Sequence, residues 1–176
     1  FEEAIIETPP SIGFEGNETL GSSRGYIWSR SLPMLKDTML LGYGPDMFML
    51  EFPQYDFWGK WNSLTSPFQG VDKPHNTYLQ IWINQGFPAF LAFVVLCATY
   101  IIHCFKLYAF KKVYSSDEGM GLAFMLAIVG YLGASFFNDT TLSVTPLFWA
   151  LLGAGMAYNV IYKTKSASIT EEISNV

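Results

Sequence analysis

The sequence predicts an all-α integral membrane protein, in which an extracytoplasmic segment of short helices and irregular loops precedes three C-terminal transmembrane helices. Of its 176 residues, 51% are hydrophobic and only 14% are charged, whereas soluble domains carry about 25% charged residues. Three long apolar stretches in the second half of the chain contain no Lys, Arg, Asp or Glu, which is typical of membrane spans. The net charge of −5 argues against nucleic acid as a partner.

We expect the chain to be the C-terminal part of a larger multi-pass protein. Phe1 is not a start methionine, and residues 1–16 lack the basic and apolar regions of a signal peptide. If the first 76 residues lie outside the membrane, helices upstream must carry them across it. The expected partners therefore include the lipid bilayer and upstream transmembrane helices of the same chain.

The predicted extracytoplasmic segment covers residues 1–76 and contains short helices. Ser22 or Ser23 can cap a first helix over about residues 24–39, which Pro33 should kink or interrupt. The rest of this segment is predicted to form a turn, a short helix and a loop, over residues 41–45, 46–51 and 52–73.

A short helix over residues 77–86 should lead into the membrane, and Pro88 suits the first turn of the first span. About 20 helical residues are enough to cross the roughly 30 Å hydrocarbon core. The predicted spans cover residues 87–110, 119–137 and 145–163, separated by a loop at 111–118 and a turn at 138–144 and followed by a tail at 164–176. Glycines in the second and third spans should let these helices pack closely.

The positions of the basic residues predict the orientation, because short loops rich in Lys and Arg stay in the cytoplasm. Five lysines lie at the end of the first span, in the loop after it, or around the end of the third span: Lys106, Lys111, Lys112, Lys163 and Lys165. The turn at residues 138–144 has no Lys or Arg. We therefore expect the tail in the cytoplasm and this turn outside, and alternation places residues 1–76 outside as well.

Three motifs stand before the first span, in the order Arg-Gly-Tyr-Ile-Trp, Gly-Tyr-Gly-Pro and His-Asn-Thr-Tyr-Leu-Gln. They begin at Arg24, Gly42 and His75. Their order and spacing over residues 21–88 resemble the C-terminal signature of the O-antigen ligase and polymerase superfamily. The His-Asn-x-Tyr-Leu-Gln run, followed by Gly86, is the most specific part of this pattern.

The resemblance implies a glycan transferase of the bacterial inner membrane. Such enzymes take a saccharide from a lipid-linked oligosaccharide donor, whose carrier is a polyprenyl diphosphate such as undecaprenyl diphosphate. They transfer it to a lipid acceptor (ligase) or a glycan acceptor (polymerase), and no cofactor or metal is implied. Arg24 and His75 match the family's functional positions and are the predicted catalytic residues. The fragment alone is expected to be inactive.

The residue types suit this reaction. The leaving diphosphate gains charge as the glycosyl bond breaks, and a guanidinium such as that of Arg24 offers parallel donors to phosphate oxygens. The attacking group is a sugar hydroxyl, which needs a base to take its proton. The imidazole of His75, with an ordinary pKa of about 6.5, suits this work near neutral pH.

Four further residues are candidates for substrate binding: Arg30, Trp28, Asn76 and Asp139. Arg30 could be a second phosphate contact, although it lies about 120° around a helix from Arg24. Trp28 could stack on a sugar ring or simply pack against its neighbours. Asp139 lies in the outer turn and could orient His75 or hold a hydroxyl. Asn76 belongs to the same motif as His75.

Two alternatives remain open. A cluster of aromatic residues could form a sugar-stacking cleft, or it could pack as a core or interfacial belt; its members are Phe48, Phe52, Tyr55, Phe57, Trp58 and Trp61. The alternative function is a transporter or export component with no catalytic role. Transporters place ionisable residues near the membrane centre, whereas His103 lies near one end of its span, which disfavours transport.

Overall fold

The computed structural model describes residues 8–110 and 115–174, and these form seven α-helices and no β-strand. The all-α prediction is therefore confirmed for this part of the chain. Lys111 and Lys112, which support the predicted orientation, lie outside it. The helices are α1 (Leu20–Met34), α2 (Phe48–Glu51), α3 (Phe57–Ser63), α4 (Thr77–Gln85), α5 (Phe87–Tyr108), α6 (Ser116–Ala134) and α7 (Thr145–Ser174).

The chain divides into two compact units. The first unit contains Phe1–Ala92 and a short return segment, Phe136–Asp139, and the second contains Phe93–Ser135 and Thr140–Val176. All six residues predicted to react with or bind the substrate therefore belong to the first unit.

The core of the first unit is apolar and is built mainly by α1, α2 and α4. Its buried side chains are Tyr26, Ile27, Met34, Phe48, Phe52, Val71 and Ile83. Burying a large apolar side chain contributes about 1.5–3 kcal/mol to stability. This cluster is therefore the principal support for the short helices and loops around it.

The start of α1 is unusual. Residues 21–23 have left-handed backbone angles, with φ between 59° and 67°, so that the regular helix begins at Arg24. The prediction that Ser22 or Ser23 caps this helix is wrong, because both residues belong to the left-handed turn, no side-chain cap bond forms, and the Ser23 hydroxyl donates to the carbonyl of Ser63. The left-handed turn therefore ties the residues before Arg24 to the end of α3.

The end of α1 also differs from the prediction, since the helix stops at Met34 and not near residue 39. Pro33 lies in the last turn and has no N–H to donate. Beyond it, the N–H groups of Lys36 and Asp37 bond to carbonyls three residues back, each at 3.2 Å. Such tighter turns are a common way to end an α-helix.

The predicted loop over residues 52–73 contains a helix, α3, that the sequence pattern did not indicate. Asp56 caps it by accepting a hydrogen bond from the N–H of Gly59 at 2.9 Å. Lys60 is buried, and its ammonium donates to the backbone and side-chain oxygens of Gln54 at 2.8 and 3.0 Å. Burial lowers the pKa of Lys60. These local side-chain contacts therefore stabilise a short helix whose glycine weakens its helix propensity.

The Gly-Tyr-Gly motif packs directly against the end of α4. The N–H groups of Tyr43 and Gly44 donate to the carbonyls of Ile83 and Asn84, both at 2.9 Å. A Cβ added at Gly42 would collide with the backbone of Asn84. The glycine at this position therefore permits a close backbone approach that no larger residue allows.

Two helices of the described chain, α5 and α6, are long and apolar enough to cross a membrane, with mean hydropathies of 2.1 and 1.2 over 18-residue windows. The third predicted span lies in α7, which is not one of these two. Helix α7 has 30 residues and continues beyond the predicted span, so the predicted tail is helical as far as Ser174.

In the second unit, α6 and α7 run antiparallel. Near the start of α6, Glu118 accepts a hydrogen bond from the Tyr162 hydroxyl at 2.7 Å, and Asp117 pairs with Lys165 at 2.6 Å. Near its other end, the Tyr131 hydroxyl lies 3.4 Å from that of Thr145, the first residue of α7. The start of α6 and residues 162–165 therefore lie at the same end of this pair.

Close packing in the second unit depends on two of its glycines. An added Cβ at Gly121 would collide with the ring of Tyr108, and one at Gly155 would collide with Tyr100. The Tyr108 hydroxyl also donates to the side chain of Asn159 at 2.8 Å. Both tyrosines belong to α5, so small residues on α6 and α7 make room for its large side chains.

Candidate active site

His75 stands at the turn that precedes α4. Its φ of 51° places it in the left-handed region, which costs a non-glycine residue roughly 1–2 kcal/mol. The ring nitrogen Nδ1 lies 2.6 Å from Oδ2 of Asp139. The His75 side chain is 41% exposed, whereas that of Asp139 is only 11% exposed. The ring is thus held at one edge and open to a ligand elsewhere.

The environment of His75 favours its protonated form. The hydrogen bond with Asp139 raises the pKa of His75, whereas partial burial and the positive charge of Arg24 act in the opposite direction. When the imidazole is neutral, Nδ1 donates to the carboxylate and Nε2 carries the free lone pair. This is the arrangement in which a carboxylate orients a histidine that acts as a base.

Arg24 is the first residue of the regular part of α1, and backbone carbonyls hold its guanidinium. One Nη donates to the carbonyl of Gly21 at 2.7 Å and the other to that of Phe137 at 2.9 Å. The Nε atom is buried and has no hydrogen-bond partner among the described residues. Because a guanidinium has five N–H donors, these two bonds leave donors available for an anionic ligand.

The return segment, Phe136–Asp139, brings the two predicted catalytic residues together. Arg24 bonds to the carbonyl of Phe137, and His75 bonds to the side chain of Asp139. Between these contacts, the Thr77 hydroxyl donates to the carbonyl of Asn138 at 2.8 Å. The guanidinium and the imidazole are therefore attached to the same short segment, at residues only two positions apart.

Packing and capping explain two of the predicted substrate-binding residues. The Trp28 indole N–H donates to the carbonyl of Pro74 at 2.8 Å, and its ring stacks on Phe137 with centroids 6.1 Å apart. Asn76 is buried, and its side-chain oxygen accepts hydrogen bonds from the first turn of α4. Trp28 and Asn76 thus support the residues on either side of His75.

Arg30 forms a separate ion pair. Its Nε lies 2.9 Å from Oδ2 of Asp56, and the two side chains are only 14% and 4% exposed. The Tyr26 hydroxyl donates to the same carboxylate at 3.2 Å. The positive charge of Arg30 thus balances the buried carboxylate of Asp56, and the ion pair links α1 to the capped end of α3. This structural role accounts for Arg30 without a phosphate ligand.

Sequence reasoning missed two residues that shape this region. Thr77 occupies the variable position of the His-Asn-x-Tyr motif, so the motif itself did not single it out. Asp56 lies in a segment that was predicted to be a loop. Because Asp is a preferred N-cap residue, its presence before residues 57–63 was the sequence signal for a helix there. Among the described residues, no three His, Cys, Asp or Glu side chains are grouped as a metal site would need.

Comparison with known protein families gives a match. A family model described as O-antigen ligase matches residues 2–94, just over half of the 176 residues. The matched range includes Arg24 and His75, and it ends inside α5. Neither the curated proteins nor the solved structures contain a match.

Proposed function

The chain belongs to the O-antigen ligase family, and we propose that it transfers a saccharide from a polyprenyl diphosphate carrier to a glycan or lipid acceptor at the outer face of the bacterial inner membrane. The observation that carries this proposal is the attachment of Arg24 and His75 to one return segment. One positive donor group and one base are thereby attached to the same segment, and this is the pair of groups that a diphosphate leaving group and an acceptor hydroxyl need.

The proposed reaction is an inverting displacement. The acceptor hydroxyl oxygen attacks the anomeric carbon of the donor saccharide and forms the new glycosidic bond. The bond from that carbon to the carrier diphosphate breaks, and its electron pair leaves with the diphosphate. His75 takes the hydroxyl proton on Nε2, and Asp139 stabilises the resulting imidazolium through Nδ1.

Arg24 acts on the leaving group in this proposal. The charge on the diphosphate grows in the transition state, and donors already held in place stabilise it without further reorganisation. The two backbone carbonyls hold the guanidinium in this way before any ligand binds. A lysine at this position would lack the planar fork and the bonds that orient it.

We also propose that α7 is a third membrane span and that residues 1–76 are extracytoplasmic. Two observations support this topology. The start of α6 and residues 162–165 of α7 lie at the same end of the second unit. That end also holds the lysines of the tail, whereas the turn at residues 138–144 has no Lys or Arg.

The test uses the full-length protein in proteoliposomes, with lipid-linked oligosaccharide isolated from the host cells as donor. We expect His75→Ala to lower transfer by at least about 100-fold, because general-base catalysis contributes about 10²–10⁴-fold. The matched control is His103→Ala, since the chain has only two histidines and His103 lies in α5.

The outcomes separate the two functions. Loss of transfer in the His75 variant with normal transfer in the His103 variant supports the proposal. Unchanged product length and yield in the His75 variant would contradict it. A wild-type protein that moves the donor across the bilayer but never forms a glycosidic bond would establish the transport alternative instead.

A further inference from the structure

The surface of α3 carries a groove lined mainly by aromatic side chains. Trp58, Trp61 and Phe68 are 67%, 66% and 83% exposed, and Tyr55 lies beside them. The groove has a volume of about 440 Å³, within the range of about 300–1,000 Å³ typical of ligand pockets. The apolar core of the first unit uses none of these four residues.

A second cavity, of about 390 Å³, adjoins this groove and shares Trp58 with it. Its lining is polar and includes Glu18, Arg30, Asn62 and Ser63. Asn62 follows Trp58 by four residues, so the amide and the indole lie on the same face of α3. Trp58 therefore stands between an aromatic surface and a set of hydrogen-bonding groups.

The polar cavity is continuous with the residues that precede Arg24. Ser63 lines the cavity, and its carbonyl accepts the hydrogen bond from Ser23. Ser23 directly precedes Arg24 in the chain. A ligand that fills this cavity would therefore approach the left-handed turn from which the Arg24 guanidinium projects.

We propose that the groove and the polar cavity together form a binding subsite for saccharide units of the glycan chain, away from the sugar that reacts. A sugar ring has an apolar C–H face, which packs on an aromatic ring, and a rim of hydroxyls, which needs donors and acceptors. Trp58, which lines both cavities, offers the aromatic face, and Asn62 and Glu18 offer hydrogen-bonding groups for the hydroxyls. This inference rests on the proposed function, because that function supplies a glycan chain.

The lining favours a glycan over a lipid surface. An interfacial membrane anchor needs only exposed aromatic and aliphatic side chains. A carboxylate and an amide beside them would lose their hydration against lipid, which is costly for charged and polar groups. A hydrated glycan imposes no such cost and can hydrogen-bond to both.

The experiment measures binding of oligosaccharides that mild acid releases from the surface polysaccharide of the host cells. Isothermal titration uses the full-length protein in nanodiscs. We expect Trp58→Ala and Asn62→Ala each to raise the dissociation constant about tenfold, which corresponds to about 1.4 kcal/mol. Trp58→Phe, which keeps an aromatic face, should recover most of the affinity.

Matched controls come from exposed residues that line neither cavity. Gln69→Ala removes an amide and Leu41→Ala removes an apolar side chain, and both should bind like the wild type. Equal affinities for all variants, or no binding by the wild type, would overturn the proposal. The proposal would also be overturned if the Trp58→Ala variant bound glycan normally but was retained less well in bilayers, because that result would identify a lipid contact.

The His75→Ala variant separates this inference from the proposed function. It should bind the free oligosaccharide normally, because His75 lines neither cavity. Normal catalysis by His75→Ala together with weak binding by Trp58→Ala would retain the subsite and reject the catalytic role. Loss of catalysis in His75→Ala together with wild-type binding by Trp58→Ala would support the catalytic role and reject the subsite.

Discussion

His75 combines a left-handed backbone with a side chain held by a residue 64 positions further along the chain. His75 directly precedes Asn76, whose side chain caps the first turn of α4. Asp139 then determines which ring nitrogen donates and which is free. In the proposed reaction Asp139 is a positioning residue, since it acts through His75 and not on the saccharide.

A pH profile tests this role of Asp139. The hydrogen bond that His75 donates to Asp139 raises the pKa of His75. As the pH drops through that raised value, the base becomes protonated and kcat/KM falls. Asp139→Asn removes the carboxylate that raises the pKa of His75. We therefore expect the acidic limb of the profile to move to lower pH. The plateau should fall by about 10²-fold or more, because the neutral amide no longer orients the imidazole or stabilises its charged form.

Asp72→Asn provides the control for the pH profile. Asp72 raises the pKa of His75 through charge alone, as the smallest of the contributions. Its removal should shift the limb slightly in the same direction and leave the plateau unchanged. An Asp139→Asn enzyme with the wild-type limb and plateau would exclude Asp139 from positioning His75.

At the scale of elements, the sequence motifs are held in place by contacts between short segments that have little stability of their own. The Gly-Tyr-Gly segment bonds to the end of α4, and α3 is held by Asp56 and by buried Lys60. Helices of four to nine residues are marginal in isolation, so tertiary packing must stabilise them. Small changes at these contacts should therefore be costly.

Gly42→Ala tests the contact with α4. The added methyl group would collide with the backbone of Asn84, and backbone atoms cannot move aside as a flexible side chain can. We expect a loss of about 1–3 kcal/mol of stability, as for other overpacked sites, and a lower thermal unfolding midpoint of the full-length protein in detergent.

Gly70→Ala is the matched control for this substitution. A Cβ at Gly70 meets only the end of the Met49 side chain, at the ordinary contact distance of 3.7 Å. Its unfolding midpoint should remain close to that of the wild type. If Gly42→Ala were equally well tolerated, the close approach would not be a requirement of the fold.

For the whole molecule, the proposed topology makes a prediction about accessibility. Single cysteines replace exposed Gln69, Ser143 and Ser168, and intact cells are treated with a membrane-impermeant thiol reagent. We expect labelling at positions 69 and 143 but not at 168. A span through α7 requires positions 143 and 168 to lie on opposite sides, so labelling at both would show that α7 does not cross.

Permeabilised cells provide the control for the topology experiment. Position 168 should become reactive in them if it faces the cytoplasm, which shows that the residue is exposed but on the inner side. The native Cys97 and Cys104 are buried free thiols, so the parent protein should give a low background. A parent protein that reacts strongly would require their replacement before the assay is read.

The sequence by itself determined the helical class, the apolar stretches and the three motifs, because periodicity, composition and spacing are local properties that do not depend on distant partners. It also indicated Arg24 and His75. Only the tertiary structure decided that the return segment joins them and that Arg30 pairs with Asp56. These outcomes depend on contacts between segments far apart in the chain, whose energies exceed the weak local preferences of each segment.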